Sequence, residues 1–345
     1  MVGQSHSQEF SHEFWMRRCL VLAEQGRGKV SPNPMVGAVL VRDGLVLCEG
    51  WHDVFGGAHA ERMLFDQLGD VGPLSDCILY VSLEPCSHFG KTPPCANLIV
   101  ERGVGTVVVG VLDPNPKESG NGVSLLREAG IDVVVGVLED ECRRLNWSFW
   151  VNQRLGRTAV LAKWAETWDG FIGSGTSERV KISGAEAGAW VMMMRKGMDG
   201  IVVGVNTWNL DRPQLNVRGV DRANGGWKQP VRIVLDGHGR GVYQSDEEAG
   251  DLGPLWVVDG HRDMADLLRW LYAEKGLGVV MVEGGAQVLS ALFEAGTVDQ
   301  VHVLRNKDRV LGEGVRSPKL SAGMELRWLE DLGDDEHGYW ERELL

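Results

Sequence analysis

Two α/β domains are predicted for this chain of 345 residues, and three observations predict them. The length exceeds what one ordinary hydrophobic core accommodates. Short runs rich in Val, Ile and Leu alternate with amphipathic stretches in both halves, the pattern of a sheet covered by helices. Composition then shifts near residue 150, because nine of the thirteen tryptophans lie beyond it. The expected domains are therefore 1–150, a three-layer α/β unit, and 151–345, a second α/β unit.

In the first half, Phe14, Trp15, Leu20, Leu22 and Ala23 give a helical face over 11–25, with Ser11 as its cap and Gly26 and Gly28 as its stop. Ser31-Pro32-Asn33-Pro34 is a rigid turn into the strand 36–41, and Asp43-Gly44 turns that strand back into 45–48 as a hairpin. His59 opens a helix that runs to Leu68 and ends at Gly69. A strand at 78–81 leads to Glu84-Pro85-Cys86, and Pro93 and Pro94 fit the first turn of a helix running to Val100. Strands follow at 106–111 and 131–135, with a helix at 123–129 between them. A single helix over 138–150 then continues toward the junction of the two halves.

The second half begins with a strand at 159–165 and the turn Trp168-Asp169-Gly170. Further strands are expected at 200–205, 231–235, 255–258, 279–282 and 298–304, and helices at 183–196, 264–274 and 287–294. No Gly-x-Gly-x-x-Gly follows a strand, so a Rossmann dinucleotide site is not supported. Glu283-Gly284-Gly285-Ala286, between a strand and a helix, is either a plain tight turn or a set of backbone N–H groups offered to phosphates.

The chain carries a formal charge of −13 and no basic stripe, which argues against a nucleic-acid partner but leaves small anionic substrates open. The polar start, Met1 to Phe14, has no signal-peptide core, and no apolar run is long enough to span a bilayer. Six cysteines in this length make no disulfide framework, and Cys19, Cys48, Cys77 and Cys142 read as small core residues. A cytoplasmic protein without a membrane partner is expected.

The stretch from His59 to Cys95 carries the chemistry. One imidazole (His59) and two thiols (Cys86 and Cys95) suit a zinc ion whose fourth position stays open for water. Glu61 follows His59 too closely to share the ion and is better placed to handle the water's protons. A closed structural knot would need a fourth ligand, for which His88 is the only neighbour available.

This is the logic of the zinc-dependent nucleobase deaminases. Their general motif, Pro-Cys-x-x-Cys, is broken here by the eight residues between Cys86 and Cys95. The longer form, Pro85-Cys86-Ser87-His88-x-Gly90-x-Thr92-Pro93-Pro94-Cys95, resembles that of the bifunctional riboflavin-biosynthesis deaminase/reductases, as does Pro32-Asn33-Pro34-x-Val36-Gly37. The resemblance implies a cytidine-deaminase-like three-layer domain followed by a dihydrofolate-reductase-like α/β domain. It implies zinc and NADPH as cofactors and a small-molecule pyrimidine ribosyl phosphate as substrate. The amino half would deaminate 2,5-diamino-6-ribosylamino-4(3H)-pyrimidinone 5′-phosphate, and the carboxyl half would reduce the ribosyl group to ribityl. A homodimer or larger homo-oligomer, formed through the reductase half, is also implied.

The roles carried over follow the matched positions. Asn33 faces the pyrimidine, and His52, His88 and Lys91 form a rim around the base and the ribosyl phosphate. The reductase half matches Lys-x-Ala-x-x-x-Asp-Gly at 163–170, an arginine at Arg195, Thr-x-x-x-Asp-x-Pro-x-Leu-x-Val-Arg at 207–218 and Val-Glu-Gly-Gly at 282–285. Substrate roles are implied for Ser177, Arg195, Leu215, Arg218 and Glu283, with the two arginines suited to a phosphate. Cofactor roles are implied for Ala165, Thr207, Asp211 and Gly285. The sequence departs from the family at Arg212, where a second aspartate is usual. It departs again over 174–183, which lacks the tryptophan that borders the cofactor, so that Arg179 or Lys181 becomes an alternative contact. Two alternatives follow: a deaminase whose reductase-like half is structural, and a zinc-stabilised binding protein without turnover.

Overall fold

The computed structural model describes residues 11–88, 93–176, 180–220, 227–243, 252–259 and 263–343. It divides into two compact units, Met1–Arg154 and Leu155–Leu345.

In the first unit, helix α1 (His12–Ala23) starts on Ser11, whose hydroxyl accepts from the Phe14 N–H and satisfies one of the orphan donors of the first turn. Strands β1 (Gly37–Arg42) and β2 (Leu45–Trp51) form the expected antiparallel hairpin. Then come α2 (Ala60–Gln67), β3 (Ile78–Leu83), α3 (Cys95–Arg102), β4 (Thr106–Val111), α4 (Asn121–Glu128) and β5 (Asp132–Val135). The sheet order is β2-β1-β3-β4-β5, with β3, β4 and β5 parallel. Leu64, Phe65, Ile99 and Leu126 from α2, α3 and α4 pack on Leu40, Leu79, Val107 and Val109 of one sheet face. On the other face, Met16 of α1 and Cys142 of helix α5 (Glu139–Leu145) both lie against Gly110 of β4. These are the three expected layers.

Two local expectations fail. Helix α3 begins at Cys95 with Pro94 as its N-cap, so both prolines precede the helix instead of filling its first turn. The single helix expected over 138–150 is two helices, α5 and α6 (Trp147–Leu155). The break falls at Asn146, which is 2% exposed and spends its amide on another segment. Its Oδ1 accepts from the Met35 N–H and its Nδ2 donates to the Met35 carbonyl, both at 2.8 Å. That two-point pairing takes Asn146 out of helical geometry and ties the Pro34–Val36 segment to the α5–α6 corner.

The second unit is built from β6 (Ala159–Glu166), β7 (Phe171–Gly173), α7 (Ala185–Lys196), β8 (Gly200–Gly204), α8 (Val205–Asp211), β9 (Val231–Leu235), β10 (Leu255–Val258), α9 (Met264–Ala273), β11 (Val279–Glu283), α10 (Ala286–Glu294), β12 (Gln300–Asn306), β13 (Val315–Arg316), β14 (Met324–Leu332) and β15 (Asp335–Arg342). Eight strands form one sheet in the order β10-β9-β8-β11-β6-β12-β15-β14. It is parallel from β10 to β12, and β15 and β14 complete it antiparallel. Strand β8 is buried along its whole length, as a parallel strand covered on both faces must be. Helix α8 and the β14–β15 hairpin were not expected from the sequence. Among the described residues, no helix is long and apolar enough to cross a membrane.

Candidate active sites

His59 is the N-cap of α2, Glu61 lies in that helix's first turn, Cys95 is the first residue of α3, and Cys86 follows the end of β3. Two helix starts and one strand end thus bring residues 36 positions apart to one point. His59 Nδ1 lies 3.6 Å from Cys86 Sγ and 3.5 Å from Cys95 Sγ, and the three ligand atoms fall within 4.8 Å of one another. Zinc–nitrogen bonds of about 2.05 Å and zinc–sulfur bonds of about 2.3 Å at a tetrahedral angle require nitrogen–sulfur separations of roughly 3.5–3.6 Å. The donor set fits the ion in chemistry and in spacing.

The surrounding electrostatics favour a thiolate. The neighbouring Cys95 side chain first, then the His59 ring and the Cys95 backbone N–H, which donates to Cys86 Sγ at 3.3 Å, bring the Cys86 thiol below its ordinary pKa. Glu61 is 3% exposed. Burial first, and the Cys86 charge second, push its carboxyl up to about 7 against the opposing pull of His59. A carboxyl that gains and loses a proton near neutrality is suited to acid and base work.

A cavity of about 320 Å³ opens over this set, lined among others by Asn33, His52, Glu84, His88, Asn115 and Glu118. His52 Nδ1 lies 2.8 Å from the Ala58 carbonyl, which can only accept, so Nδ1 carries the proton. Burial lowers the His52 pKa and keeps the ring neutral, so Nε2 accepts from Asn33 Nδ2 at 3.2 Å. His52 therefore fixes which end of the Asn33 amide it faces. His88 pairs with Glu118 at 3.0 Å. Lys91 lies outside the described residues.

The second unit holds a cavity of about 830 Å³ at the carboxyl ends of its parallel strands, where open α/β sheets bind ligands. It is lined from β6 by Lys163 and Ala165, from beyond β8 by Asn206 and Thr207, from beyond β9 by His238 and Arg240, and from the end of β11 by Glu283 and Gly285. Asp211, Arg195 and Leu215 also line it, and Leu215 has a positive φ of 49°. Gly284 and Gly285 both have φ of 78°, a conformation that strains any other residue. They bring the chain into the start of α10, which has no side-chain cap bond, so its first N–H groups border the cavity. A Cβ on Gly285 would meet Thr207 Oγ1 at 3.1 Å. This bare backbone rim fits the anionic bridge of a dinucleotide.

Arg195 is committed more fully than the sequence suggests. Its Nε and Nη2 donate to the two oxygens of Glu283 at 2.5 and 2.9 Å, and Nη1 donates to the Asn216 carbonyl at 2.8 Å. Lys163 Nζ lies 3.7 Å from the same carboxylate. Burial alone would raise the Glu283 pKa, but the charges of Arg195 and Lys163 outweigh it and bring the carboxyl down to about 2. Burial also lowers the pKa of Lys163. Arg218 is exposed, stands outside the cavity lining and donates to Asn216 Oδ1. Ser177 and Arg179 lie outside the described residues, whereas Lys181 lines the cavity. Arg212 caps α8 in the left-handed conformation.

Sequence reasoning gives no role to Lys163, although it begins a matched motif, nor to Asp113 and Asn115. Phe149 and Gln153, one turn apart on α6, also line the first cavity, and only their i, i+4 spacing could have shown them.

A three-layer α/β unit whose His-Cys-Cys set lies beside a buried glutamate is the architecture of a hydrolytic deaminase, and here it precedes a second unit with a dinucleotide-sized cleft. Residues 10–111 match the family model for the cytidine and deoxycytidylate deaminase zinc-binding region, and residues 158–325 match the RibD C-terminal domain. The riboflavin biosynthesis protein RibD of Actinobacillus pleuropneumoniae is 36% identical over 93% of this chain and 93% of its own. That of Aquifex aeolicus is 35% identical over 93% of this chain and 96% of its own. A diaminohydroxyphosphoribosylaminopyrimidine deaminase/5-amino-6-(5-phosphoribosylamino)uracil reductase from Thermotoga maritima superposes with a TM-score of 0.85 at 32% identity, covering 96% of this chain and 98% of that one. The chain belongs to the RibD family of bifunctional deaminase/reductases of riboflavin biosynthesis. Both halves of that enzyme are present, a zinc-dependent deaminase and an NADPH-dependent reductase.

Proposed function

We propose that His59, Cys86 and Cys95 hold the zinc ion and that Glu61 is the proton carrier of the deamination. The match of the ligand spacing to a tetrahedral zinc site, with a buried Glu61 carboxyl beside it, carries this reading. Bound there, zinc makes water a competent nucleophile near neutral pH. Glu61 takes a proton from the attacking water and delivers it to the departing nitrogen, so that water enters and ammonia leaves at C2 of the pyrimidinone. Asn33 meets the ring, held by His52, His88 faces the ribosyl phosphate, and the family resemblance assigns Lys91 to the same ligand.

In the second unit the nicotinamide cofactor supplies the hydride. Thr207, Asp211, Ala165 and Gly285 would hold that cofactor, and the first N–H groups of α10 would be available to its phosphates. Lys163, Arg195, Leu215 and Glu283 line the substrate side, Arg218 reaches the substrate from the rim, and the family resemblance assigns Ser177 a substrate role. The deaminase portion ends near Arg154. The substrate is the diaminopyrimidinone ribosyl phosphate, deaminated before it is reduced.

The enzyme acts as a homodimer in the cytoplasm. Its six free cysteines suit a reducing compartment. The edge strand β14 exposes Leu326, Trp328 and Leu329, an edge that a second copy would cover. Product analysis on zinc-loaded protein, with and without NADPH, tests the assignment of reactions. The deaminated ribosyl product is expected without NADPH and the ribityl product with it. Deamination without NADPH consumption would leave the second unit without a reductase role on this substrate.

A further inference from the structure

The cavity over the metal ligands is walled on one side by the loop between β4 and α4, which contributes Asp113, Asn115 and Glu118. This loop is held to the metal-bearing segment at two places. At one, Glu84 is 6% exposed and makes its carboxylate bonds to loop backbone. Its Oε2 accepts from the N–H groups of Asp113 (3.0 Å) and Gly120 (2.9 Å), and its Oε1 accepts from that of Val123 (3.1 Å). Gly120 and Val123 are the N-cap and third residue of α4, so a side chain from another element satisfies donors that the helix cannot. At the other place, Glu118 Oε2 receives Ser87 Oγ at 3.3 Å and pairs with His88 Nδ1 at 3.0 Å. Close packing seals the arrangement, since a Cβ on Gly122 would come within 2.0 Å of the Pro85 carbonyl oxygen.

We infer that Glu84 is a positioning residue for deamination: it fixes the 113–123 loop, and through Glu118 it sets His88 at the mouth of the cavity. Cys86 lies between the two attachment points, so one closed ring of bonds spaces the loop wall from the metal ligands. Glu84 itself need touch neither zinc nor substrate. A carboxylate is required because three N–H donors converge on it from two sides, and an amide can present oxygen to only one side. The inference rests on the deaminase reading of this cavity for its kinetic consequence, but not for its geometry.

The test is Glu84→Gln in the full-length, zinc-loaded protein. The amide oxygen will occupy the side with two donors, Asp113 and Gly120, and leave the NH₂ group opposite the Val123 N–H. Hydrogen exchange at Val123 is therefore expected to quicken by roughly one to two orders of magnitude, with Asp113 and Gly120 changed less. KM for deamination is expected to rise about tenfold with kcat and zinc content nearly held, which is a loss of binding rather than of chemistry. Glu118→Gln, a change at a half-buried side chain that should leave folding intact if Glu84→Gln does not fold, is expected to raise KM in the same direction without altering Val123 exchange. Unchanged exchange at Val123, or a fall in kcat with KM held, overturns the inference. If the wild-type protein does not deaminate at all, the deaminase reading fails, and the exchange result still decides whether the clamp exists.

Discussion

In the first unit, His59, Cys86 and the buried Glu61 carboxyl line a cavity of about 320 Å³, and the groups that do the chemistry come from two helix starts and a strand end. In the second, about 830 Å³ is lined by the ends of parallel strands, and its most tightly bound charged group is an ion pair that links α7 to β11. The first site shifts pKa values to hold and move a proton, with Glu61 pushed up to about 7. The second shifts them the other way, with Glu283 brought down to about 2 and fixed as an anion. A hydrolysis needs a mobile proton at a fixed point, whereas a hydride transfer needs two large molecules held against each other. The size of each cavity and the direction of each pKa shift follow from that contrast.

The sharpest separation of the two sites is Glu61→Gln. Loss of the proton carrier should lower deamination about a thousandfold, within the range for a positioned acid–base group, while NADPH consumption on supplied deaminated substrate stays at the wild-type rate. A proportional loss of both activities would mean that the two sites are not independent. Next in size, Glu283→Ala leaves Arg195 buried without its partner and should destabilise the second unit by about 3–5 kcal/mol in urea unfolding. Glu283→Gln keeps the shape and should cost less.

The depressed Glu283 pKa gives a third, smaller effect with a definite sign. A carboxyl whose folded pKa lies below its unfolded value stabilises the fold above about pH 4.5, and that stabilisation is lost as pH falls toward 2. Wild-type protein should lose about 3 kcal/mol across that window that Glu283→Gln does not lose. Parallel acid curves for the two proteins would refute it. Smallest is Asn146→Asp, which keeps the acceptor for the Met35 N–H and removes the donor to its carbonyl. A loss of about 1–2 kcal/mol is expected, with KM for deamination rising because Asn33 lies two residues from Met35.

What could be read from the sequence divides along the same line. The zinc ligands and Glu61 were legible because they fall within 37 consecutive residues, and the type and spacing of the ligands restrict the chemistry. The parallel strands of the second unit were legible because burial on both faces leaves continuous apolar runs such as Ile201-Val202-Val203. The Asn146 and Glu84 clamps were not, since each binds backbone N–H or C=O groups that every residue possesses. The pairing of Arg195 with Glu283 spans 88 positions and no local pattern marks it. Helix α8 was missed because Asn206, Thr207 and Asn209 are weak helix formers. Strand β14 was missed because it is exposed over most of its length, so Leu326, Trp328 and Leu329 do not alternate cleanly with charges.

The Arg195–Glu283 pair also bears on how this chain can change over generations. Lys163 shares the Glu283 carboxylate, so removing Glu283 strands two buried cations, and removing Arg195 and Glu283 together still leaves Lys163 without its partner. Single steps that delete the carboxylate therefore pass through a destabilised intermediate. Descendants are expected to keep all three residues or to have exchanged them together, so that positions 163, 195 and 283 drift as one.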